Sequence, residues 1–215
     1  MVSLVGIDEA GRGPVIGPMV MCGVLMDDKE QFKLKVLGVK DSKLLTPKQR
    51  EHIYEVLIKD LKYSVRVVSA KEIDTAVWSD SSNLNWLEAD KSVEILNELM
   101  PERAILDCPS NNIPAFVSYM KERVHKSIDV KAEFKADQKY LVVGAASIIA
   151  KVTRDRLIAD IKKKNNVEFG SGYPSDPRTQ RFIKDNWDKY DFFRKSWSTY
   201  ERAKVAGSQK SLGSF

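Results

Sequence analysis

Two adjacent carboxylates, Asp8 and Glu9, lie just before the positively charged Arg12, which is the middle residue of a Gly-x-Gly turn. The stretch is residues 6–14, GIDEAGRGP. Two negative charges side by side destabilise a fold unless a divalent cation neutralises them, and hard carboxylate oxygens suit Mg²⁺ or Mn²⁺. A solvated turn is the alternative for these residues taken alone, because acids beside glycine are common in loops. The pattern favours a metal site with a phosphate nearby.

The glycines around Arg12 do not form the dinucleotide-binding fingerprint, which requires Gly-x-Gly-x-x-Gly at the start of a helix. Position 16 is isoleucine, and residues 15–26 continue as a second apolar, β-rich segment. Strand, turn and strand together predict a hairpin. We therefore expect Gly11 and Gly13 to let the main chain approach a bound group closely, with Arg12 beside it.

Two further acids lie at the ends of predicted elements. Asp107 follows a short predicted strand, residues 104–106, and Asp137 precedes a predicted helix, residues 138–164. Together with the first two acids they would hold two ions about 4 Å apart, an arrangement that promotes in-line displacement at phosphorus. The alternatives are a loop position for Asp107 and helix capping for Asp137.

Two lysines are candidate phosphate ligands. Lys43 precedes a helix whose predicted N-cap is Thr46, and Lys151 interrupts an apolar helical face. Either lysine could instead be solvated, with the small residues before Lys151 packing the helix on the sheet. The C-terminal aromatic residues, interleaved with Lys and Arg, could form a nucleic-acid surface, but we assign most of them to a small hydrophobic core.

The apolar periodicity predicts an α/β fold with a mixed central sheet flanked by helices. Predicted strands cover residues 2–7, 15–26, 63–69, 104–106 and 130–134, and predicted helices cover residues 47–59, 85–99, 113–124 and 138–164. The clearest boundary lies near Asn165. It predicts a catalytic domain at residues 1–165, a helical C-terminal subdomain at residues 166–206 and a flexible tail at residues 207–215.

Composition narrows the class of protein. A chain of 215 residues can bury a good core, and its two cysteines form neither a metal-finger spacing nor a disulfide framework. No apolar run reaches membrane-spanning length, so we predict a soluble, cytoplasmic protein that does not bind a membrane. The net charge of +5 and the pI near 9.0 favour a polyanionic partner if the excess lies on one face.

The segments together resemble the type 2 ribonuclease H family, ribonuclease HII, and in particular its single-chain archaeal members. The resemblance covers nearly the whole chain and rests on residues 6–14, Asp41-Ser42-Lys43, Leu106-Asp107, Lys135-Ala136-Asp137, residues 145–155 and Gly172-Tyr173-Pro174. It implies an RNase H-like mixed sheet with a helical C-terminal region. It also implies a monomeric endonuclease of replication and repair. Such an enzyme cleaves RNA in RNA/DNA hybrids and ribonucleotides embedded in duplex DNA, leaving 5′-phosphate and 3′-hydroxyl ends.

Residue by residue, the resemblance implies that the metal, Mg²⁺ or Mn²⁺, is held by Asp8, Glu9, Asp107 and Asp137. It implies that the ribonucleotide 2′-hydroxyl at an RNA–DNA junction is recognised by Gly11, Arg12, Gly13 and Tyr173. That hydroxyl separates RNA from DNA, and main-chain N–H groups with a phenol suit it. Lys43 and Lys151 resemble family contacts to phosphate and to the active site. Cys108 departs from the family, whose members often carry serine after this acid.

The C-terminal residues hold a spacing similar to a sliding-clamp-binding box. Gln209, Leu212 and Phe215 stand at its first, fourth and seventh positions, although the usual second aromatic is missing. One turn of helix would place Leu212 and Phe215 on one side, ready to fill an apolar pocket. A disordered terminus is the alternative. For the whole chain, the alternatives to the nuclease are a non-catalytic hybrid-binding protein and a DNA-cutting nuclease of the same fold.

Overall fold

The protein contains a mixed five-stranded sheet. The computed structural model describes residues 2–40, 42–108 and 110–212, and for Lys43 and residues 209–212 it describes only the backbone. The strands run in the spatial order β3-β2-β1-β4-β5. Strand β1 pairs antiparallel with β2 and parallel with β4, and β4 pairs parallel with β5. The strands are β1 (Ser3–Ala10), β2 (Met19–Asp27), β3 (Lys62–Val68), β4 (Arg103–Asp107) and β5 (Asp129–Glu133). The predicted mixed sheet and its first hairpin are confirmed.

Helices flank the sheet; in the described chain, five of them lie between strands and four follow the last strand. They are α1 (Gln31–Leu37), α2 (Pro47–Asp60), α3 (Ala70–Trp78), α4 (Leu84–Leu99), α5 (Ile113–Lys121), α6 (Ala136–Lys139), α7 (Leu141–Asn165), α8 (Pro177–Asn186) and α9 (Ser198–Leu212). Helix α2 begins at the predicted place, because the Thr46 side chain accepts a hydrogen bond from the N–H of Gln49 in a capping box. Helix α3 was not predicted, although Ser69 and Glu72 form the same signal at its start.

The predicted helix over residues 138–164 is confirmed from Leu141 onward, but its predicted start is wrong. Helix α6 ends at Lys139, Tyr140 is extended with φ −123° and ψ 118°, and a separate helix α7 begins at Leu141. The alternative of helix capping by Asp137 is also wrong. The N-cap of α6 is Lys135, in the left-handed region with φ 57°, and Asp137 lies within the first turn. The sequence hides this break because its apolar periodicity continues through it.

The described chain divides into two compact units. The first contains the residues up to Ala10, Val20–Val67 and Asn85–Thr153, and the second contains Gly11–Met19, Val68–Leu84 and the residues from Arg154 onward. The second unit therefore combines three chain segments, whereas the sequence predicted a subdomain from residues 166–206 alone. Helix α9 runs through Leu212, so residues 207–212 are helical where a flexible tail was predicted. Residues 213–215 lie outside the described chain.

In the first unit, two glycines of the sheet let helices pack closely on opposite faces. A Cβ at Gly6 of β1 would collide with the main chain of Val142 in α7, and a Cβ at Gly23 of β2 would collide with Ile95 in α4. Gly23 pairs with Ile7, the residue after Gly6, and successive strand residues point to opposite faces. Asp8, two residues after Gly6, therefore points to the face that α7 covers.

In the second unit, the aromatic residues form a core. Its buried members are Val15, Ile16, Ile158, Phe169, Ile183, Phe192, Phe193 and Tyr200. Phe182, Trp187, Tyr190 and Trp197 pack against it while partly exposed. The assignment of most C-terminal aromatics to packing is therefore confirmed. Among the described residues, no helix has the length and apolar character that crossing a membrane requires.

Candidate active site

Three carboxylates meet where two parallel strands end. In the register of β1 and β4, Ile7 pairs with Leu106, so the next residues along each strand are Asp8 and Asp107. Parallel neighbours end at the same edge of a sheet, which brings these acids together. With Glu9, each offers one carboxylate oxygen, and these oxygens all lie within 4.8 Å of one another.

The group of three acids is electrostatically strained without a cation. Asp8 is only 4% exposed. Burial raises the pKa of its carboxyl well above the usual range, and the charges of Glu9 and Asp107 raise it further. The N–H of Glu9 donates to Asp8 Oδ1 at 2.7 Å, which opposes the shift only in part. A divalent cation would remove this repulsion, and the donor set of carboxylate oxygens fits Mg²⁺ or Mn²⁺.

Asp137 is not one of the three acids of this group, although the residue before it contacts Asp107. The N–H of Ala136 donates to Asp107 Oδ1 at 2.8 Å, which ties the start of α6 to the end of β4. Asp137 itself is buried and lines a cavity of about 460 Å³ together with Lys40 and Tyr140. Its backbone is thus held beside Asp107 by a hydrogen bond that no local sequence signal predicts.

A pair of buried serines supports Asp8. Ser147 in α7 forms a side-chain hydrogen bond with Asp8, and its hydroxyl oxygen lies 3.0 Å from that of Ser42. Both serines come from segments that carried the family resemblance. Lys151 follows Ser147 by one helical turn, so it lies on the same face of α7 and is half-buried. Asp41 and the side chain of Lys43 lie outside the described residues, and the backbone of Lys43 is in a 3₁₀ turn.

Cys108, which follows Asp107, is buried and unpaired by any disulfide. Burial raises the pKa of its thiol, and nearby Asp107 contributes to the rise. The reactive thiolate is therefore disfavoured at neutral pH. Cys22 is likewise buried and free.

In the second unit, the Gly-Arg-Gly turn lies beside Tyr173. Gly11 has φ +85°, which a side chain would strain, and a Cβ there would collide with Arg154. A Cβ at Gly13 would lie 3.7 Å from the Tyr173 ring, which is 42% exposed. The structure therefore brings together the glycines and the tyrosine that the resemblance connects.

Sequence reasoning missed two buried arginines behind this turn, Arg154 and Arg194. Arg194 Nη2 donates to the carbonyl of Gly11 at 2.6 Å, and the guanidinium carbon of Arg154 lies 5.9 Å from the centre of the Tyr173 ring. Neither arginine belongs to a motif with a local signature, and buried arginine is uncommon enough that composition gives no warning. Only three-dimensional packing identifies them.

A mixed sheet of this order, with acids at the adjoining ends of two parallel strands, defines the class of ribonuclease H-like folds. The ribonuclease HII family model matches residues 5–200. The chain is 44% identical over 211 residues to ribonuclease HII of Methanothrix thermoacetophila, covering 96% of this chain and 99% of the relative. The chain belongs to the ribonuclease HII family and is a hydrolase of the ribonuclease H type.

Solved structures agree with the family in fold. The ribonuclease H2 of Pyrococcus horikoshii OT3 superposes with a TM-score of 0.88 at 43% identity, covering 96% of this chain and 99% of that one. Ribonuclease HII from a complex with PCNA, from Archaeoglobus fulgidus, gives a TM-score of 0.83 at 38% identity, covering 92% and 96%. The family consists of endonucleases that cleave RNA in RNA/DNA hybrids, so the resemblance in the sequence is confirmed.

Proposed function

We propose that this protein hydrolyses the RNA strand of RNA/DNA hybrids and also cuts at ribonucleotides embedded in duplex DNA, leaving 5′-phosphate and 3′-hydroxyl ends. The observation that carries the proposal is the meeting of Asp8, Glu9 and Asp107 within 4.8 Å at the ends of β1 and β4. A role in replication and repair and a cytoplasmic location belong to the same proposal, as does action as a monomer.

The proposed metal ligands are Asp8, Glu9 and Asp107, with Asp137 as the fourth. Two divalent ions, Mg²⁺ or Mn²⁺, would supply an activated water and neutralise the charge of the departing oxygen. The chain's own contribution is to hold the carboxylates. Ser147 orients Asp8, and the N–H of Ala136 fixes Asp107. Burial of Asp8 excludes bulk water from this side of the group.

Recognition of the substrate is assigned to separate residues. Gly11, Arg12 and Gly13 with Tyr173 would bind the ribonucleotide 2′-hydroxyl through main-chain N–H groups, the phenol and the ring face. The close approach of the Tyr173 ring to Gly13 supports this assignment. Lys43 and Lys151 would contact phosphates of the same duplex.

The decisive experiment is cleavage mapping on a duplex that contains a single ribonucleotide, with Mg²⁺ omitted and then restored. We expect one metal-dependent cut at the ribonucleotide. The cleavage rate of Asp8→Asn and of Asp107→Asn should be lower on the order of 10²–10³-fold. Asp129→Asn is the matched control, because Asp129 is a 75%-exposed strand acid outside the group of three.

Three results would decide against the proposal. Cleavage by Asp8→Asn at the parent rate would remove the carboxylates from the chemistry. Binding of the hybrid with no cleavage under any divalent ion would make this a non-catalytic hybrid-binding protein. Equal cutting of an all-DNA duplex would make it a nuclease without the ribonucleotide requirement.

We further propose that the C-terminal residues bind a sliding clamp through Gln209, Leu212 and Phe215. The solved complex of PCNA and ribonuclease HII from Archaeoglobus fulgidus supports this. Phe215 and the side chains of Gln209 and Leu212 lie outside the described residues. Because Gly207 packs against Trp187, a deletion should begin at residue 208.

The clamp proposal is tested with PCNA of Archaeoglobus fulgidus in a pull-down and by calorimetry. Deletion of residues 208–215 and the double variant Leu212→Ala with Phe215→Ala should both abolish binding, while cleavage without the clamp stays unchanged. Lys204→Ala, on the exposed part of α9, is the control. Undiminished clamp binding by the double variant would refute the tail as the contact.

A further inference from the structure

The loop of residues 11–18 turns its carbonyl groups toward buried side chains. Arg194 donates to the carbonyls of Gly11, Arg12 and Gly17 at 2.6, 2.7 and 3.0 Å. The N–H of Arg194 also donates to the carbonyl of Val15 at 2.8 Å. One residue, more than 170 positions away in the chain, therefore holds four main-chain oxygens of this loop.

Two more side chains complete this set of contacts. Arg154 donates to the carbonyls of Ile16 and Pro18 at 3.4 and 3.3 Å. Trp197 Nε1 donates to the carbonyl of Gly13 at 3.1 Å, and its ring centre lies 5.0 Å from the Arg194 guanidinium carbon. The oxygens of residues 11–13 and 15–18 thus all face donors of the second unit.

Both arginines are buried, Arg194 being 0% and Arg154 3% exposed. Burying a guanidinium is costly, and arginine remains charged in proteins. For Arg194 this cost is offset by hydrogen bonds from three of its guanidinium nitrogens to main-chain carbonyl oxygens. A lysine could not replace Arg194, because one ammonium cannot match three carbonyls arranged around a planar fork.

Because peptide groups are planar, fixing the carbonyl groups of the loop also fixes the direction of its N–H groups on the opposite side. In a trans peptide the N–H of one residue points away from the carbonyl of the residue before it, and the described chain contains no cis peptide bond. When Arg194 holds the carbonyls of Gly11 and Arg12, the N–H groups of Arg12 and Gly13 point away from Arg194. The peptide bond after Gly13 belongs to Pro14, which has no N–H group. The hydrogen bond from Trp197 to the Gly13 carbonyl therefore orients no further donor.

We propose that Arg194 is a positioning residue for ribonucleotide recognition. Together with Arg154 and Trp197 it holds the loop so that the N–H groups of Arg12 and Gly13 face the ribonucleotide 2′-hydroxyl, and its buried charge polarises those peptide groups toward the substrate. The inference rests on the proposed function, because it concerns the same recognition of a ribonucleotide. It adds a residue that itself touches no substrate.

The test measures binding without hydrolysis. Two duplexes of one sequence, one with a single ribonucleotide and one all-DNA, are titrated in EDTA, and the ratio of their Kd values gives the discrimination. We expect Arg194→Met to lower the ratio about tenfold, which corresponds to about 1.4 kcal/mol. Arg194→Lys should recover only part of it. The Kd of the all-DNA duplex should change less than twofold.

Ile183→Ala is the matched control, because Ile183 is fully buried in the core of the same unit and none of the loop hydrogen bonds involves it. It should lower the Tm as the arginine variants do, yet keep the discrimination ratio. If the arginine acted only through stability, the ratio would follow the Tm in both variants. That result would overturn the inference.

Trp197→Phe provides the second variant in case Arg194→Met does not fold. It removes the hydrogen bond to Gly13 and keeps a ring beside the guanidinium, so we expect a smaller drop in the ratio, about threefold. Parent-like ratios in Trp197→Phe and in any folded Arg194 variant would refute the positioning role alone. A parent protein that neither discriminates nor cleaves would instead refute the proposed function.

Discussion

The hydroxyl oxygens of Ser42 and Ser147 lie 3.0 Å apart, although 105 residues separate them in the chain. A serine hydroxyl has one proton to donate. Because Ser147 uses its proton toward the Asp8 carboxylate, Ser42 must donate to Ser147. The relay from Ser42 through Ser147 to Asp8 explains why residues 42 and 147, from two separate segments of the resemblance, meet at the acidic group.

Removing this relay should weaken metal binding more than it weakens the fold. Ser147→Ala deletes the donor to a charged carboxylate, a hydrogen bond of about 1.5 kcal/mol or more, so we expect the Mg²⁺ concentration for half-maximal cleavage to rise at least tenfold. Ser42→Ala should cause a smaller rise, because Ser147 still reaches Asp8. An unchanged Mg²⁺ requirement in Ser147→Ala would show that Asp8 needs no such support.

Asp8→Asn should stabilise the metal-free protein while it abolishes cleavage. The substitution keeps the side-chain shape and removes the charge of the Asp8 carboxyl group, whose pKa is raised by burial, by Glu9 and by Asp107. We expect the Tm in EDTA to rise by a few degrees and the further increase caused by Mg²⁺ to disappear. Thermal unfolding with and without the metal measures both. A lower Tm in EDTA would contradict the like-charge repulsion described for the site.

Gly11→Ala should abolish ribonucleotide discrimination, and Gly38→Ala should not. The two glycines have nearly equal φ values, +85° and +84°, so each alanine adds a left-handed strain of about 1–2 kcal/mol. A Cβ at Gly11 also collides with Arg154, whereas nothing lies within 4 Å of a Cβ at Gly38. The Kd ratio for the two duplexes and the Tm separate strain from displacement of the loop. Equal ratios in both variants would exclude the collision as a cause.

Asp176 should contribute a stability that is lost in acid. Its carboxylate accepts hydrogen bonds from the N–H groups of Ser171 and Arg178 at 2.8 and 2.9 Å, which hold its pKa well below the usual range. A depressed folded-state pKa stabilises the protein above the unfolded pKa, near 3.9, and the contribution is lost as the pH falls below it.

The comparison with Asp176→Asn isolates this effect. We expect the parent to have the higher free energy of unfolding at pH 6 and the difference to shrink as the pH falls below about 4. Denaturant titrations from pH 6 to pH 3 measure it. A difference that stays constant over this range would show that the carboxylate titrates alike in the folded and unfolded states.

Much of the fold and part of the site could be predicted from local signals. The strand that ends at Asp107 and the start of α2 at Thr46 follow from apolar runs, proline and capping residues, all within a few positions of the element they define. The break at Tyr140 could not be predicted, because the apolar pattern continues through it and the left-handed conformation of Lys135 has no sequence signature.

By itself, the sequence determined the strands of the sheet and several of the helices, and it placed Asp8, Glu9 and Asp107 at strand ends, because hydrophobic period and turn chemistry act between near neighbours. Only the tertiary structure decided which distant groups support these acids and which support the loop of residues 11–18. The contact of Arg194 with the carbonyl of Gly11 spans 183 residues and joins a side chain to a main-chain atom that every residue has. Because every residue has a main-chain carbonyl group, no sequence motif could indicate which one Arg194 contacts.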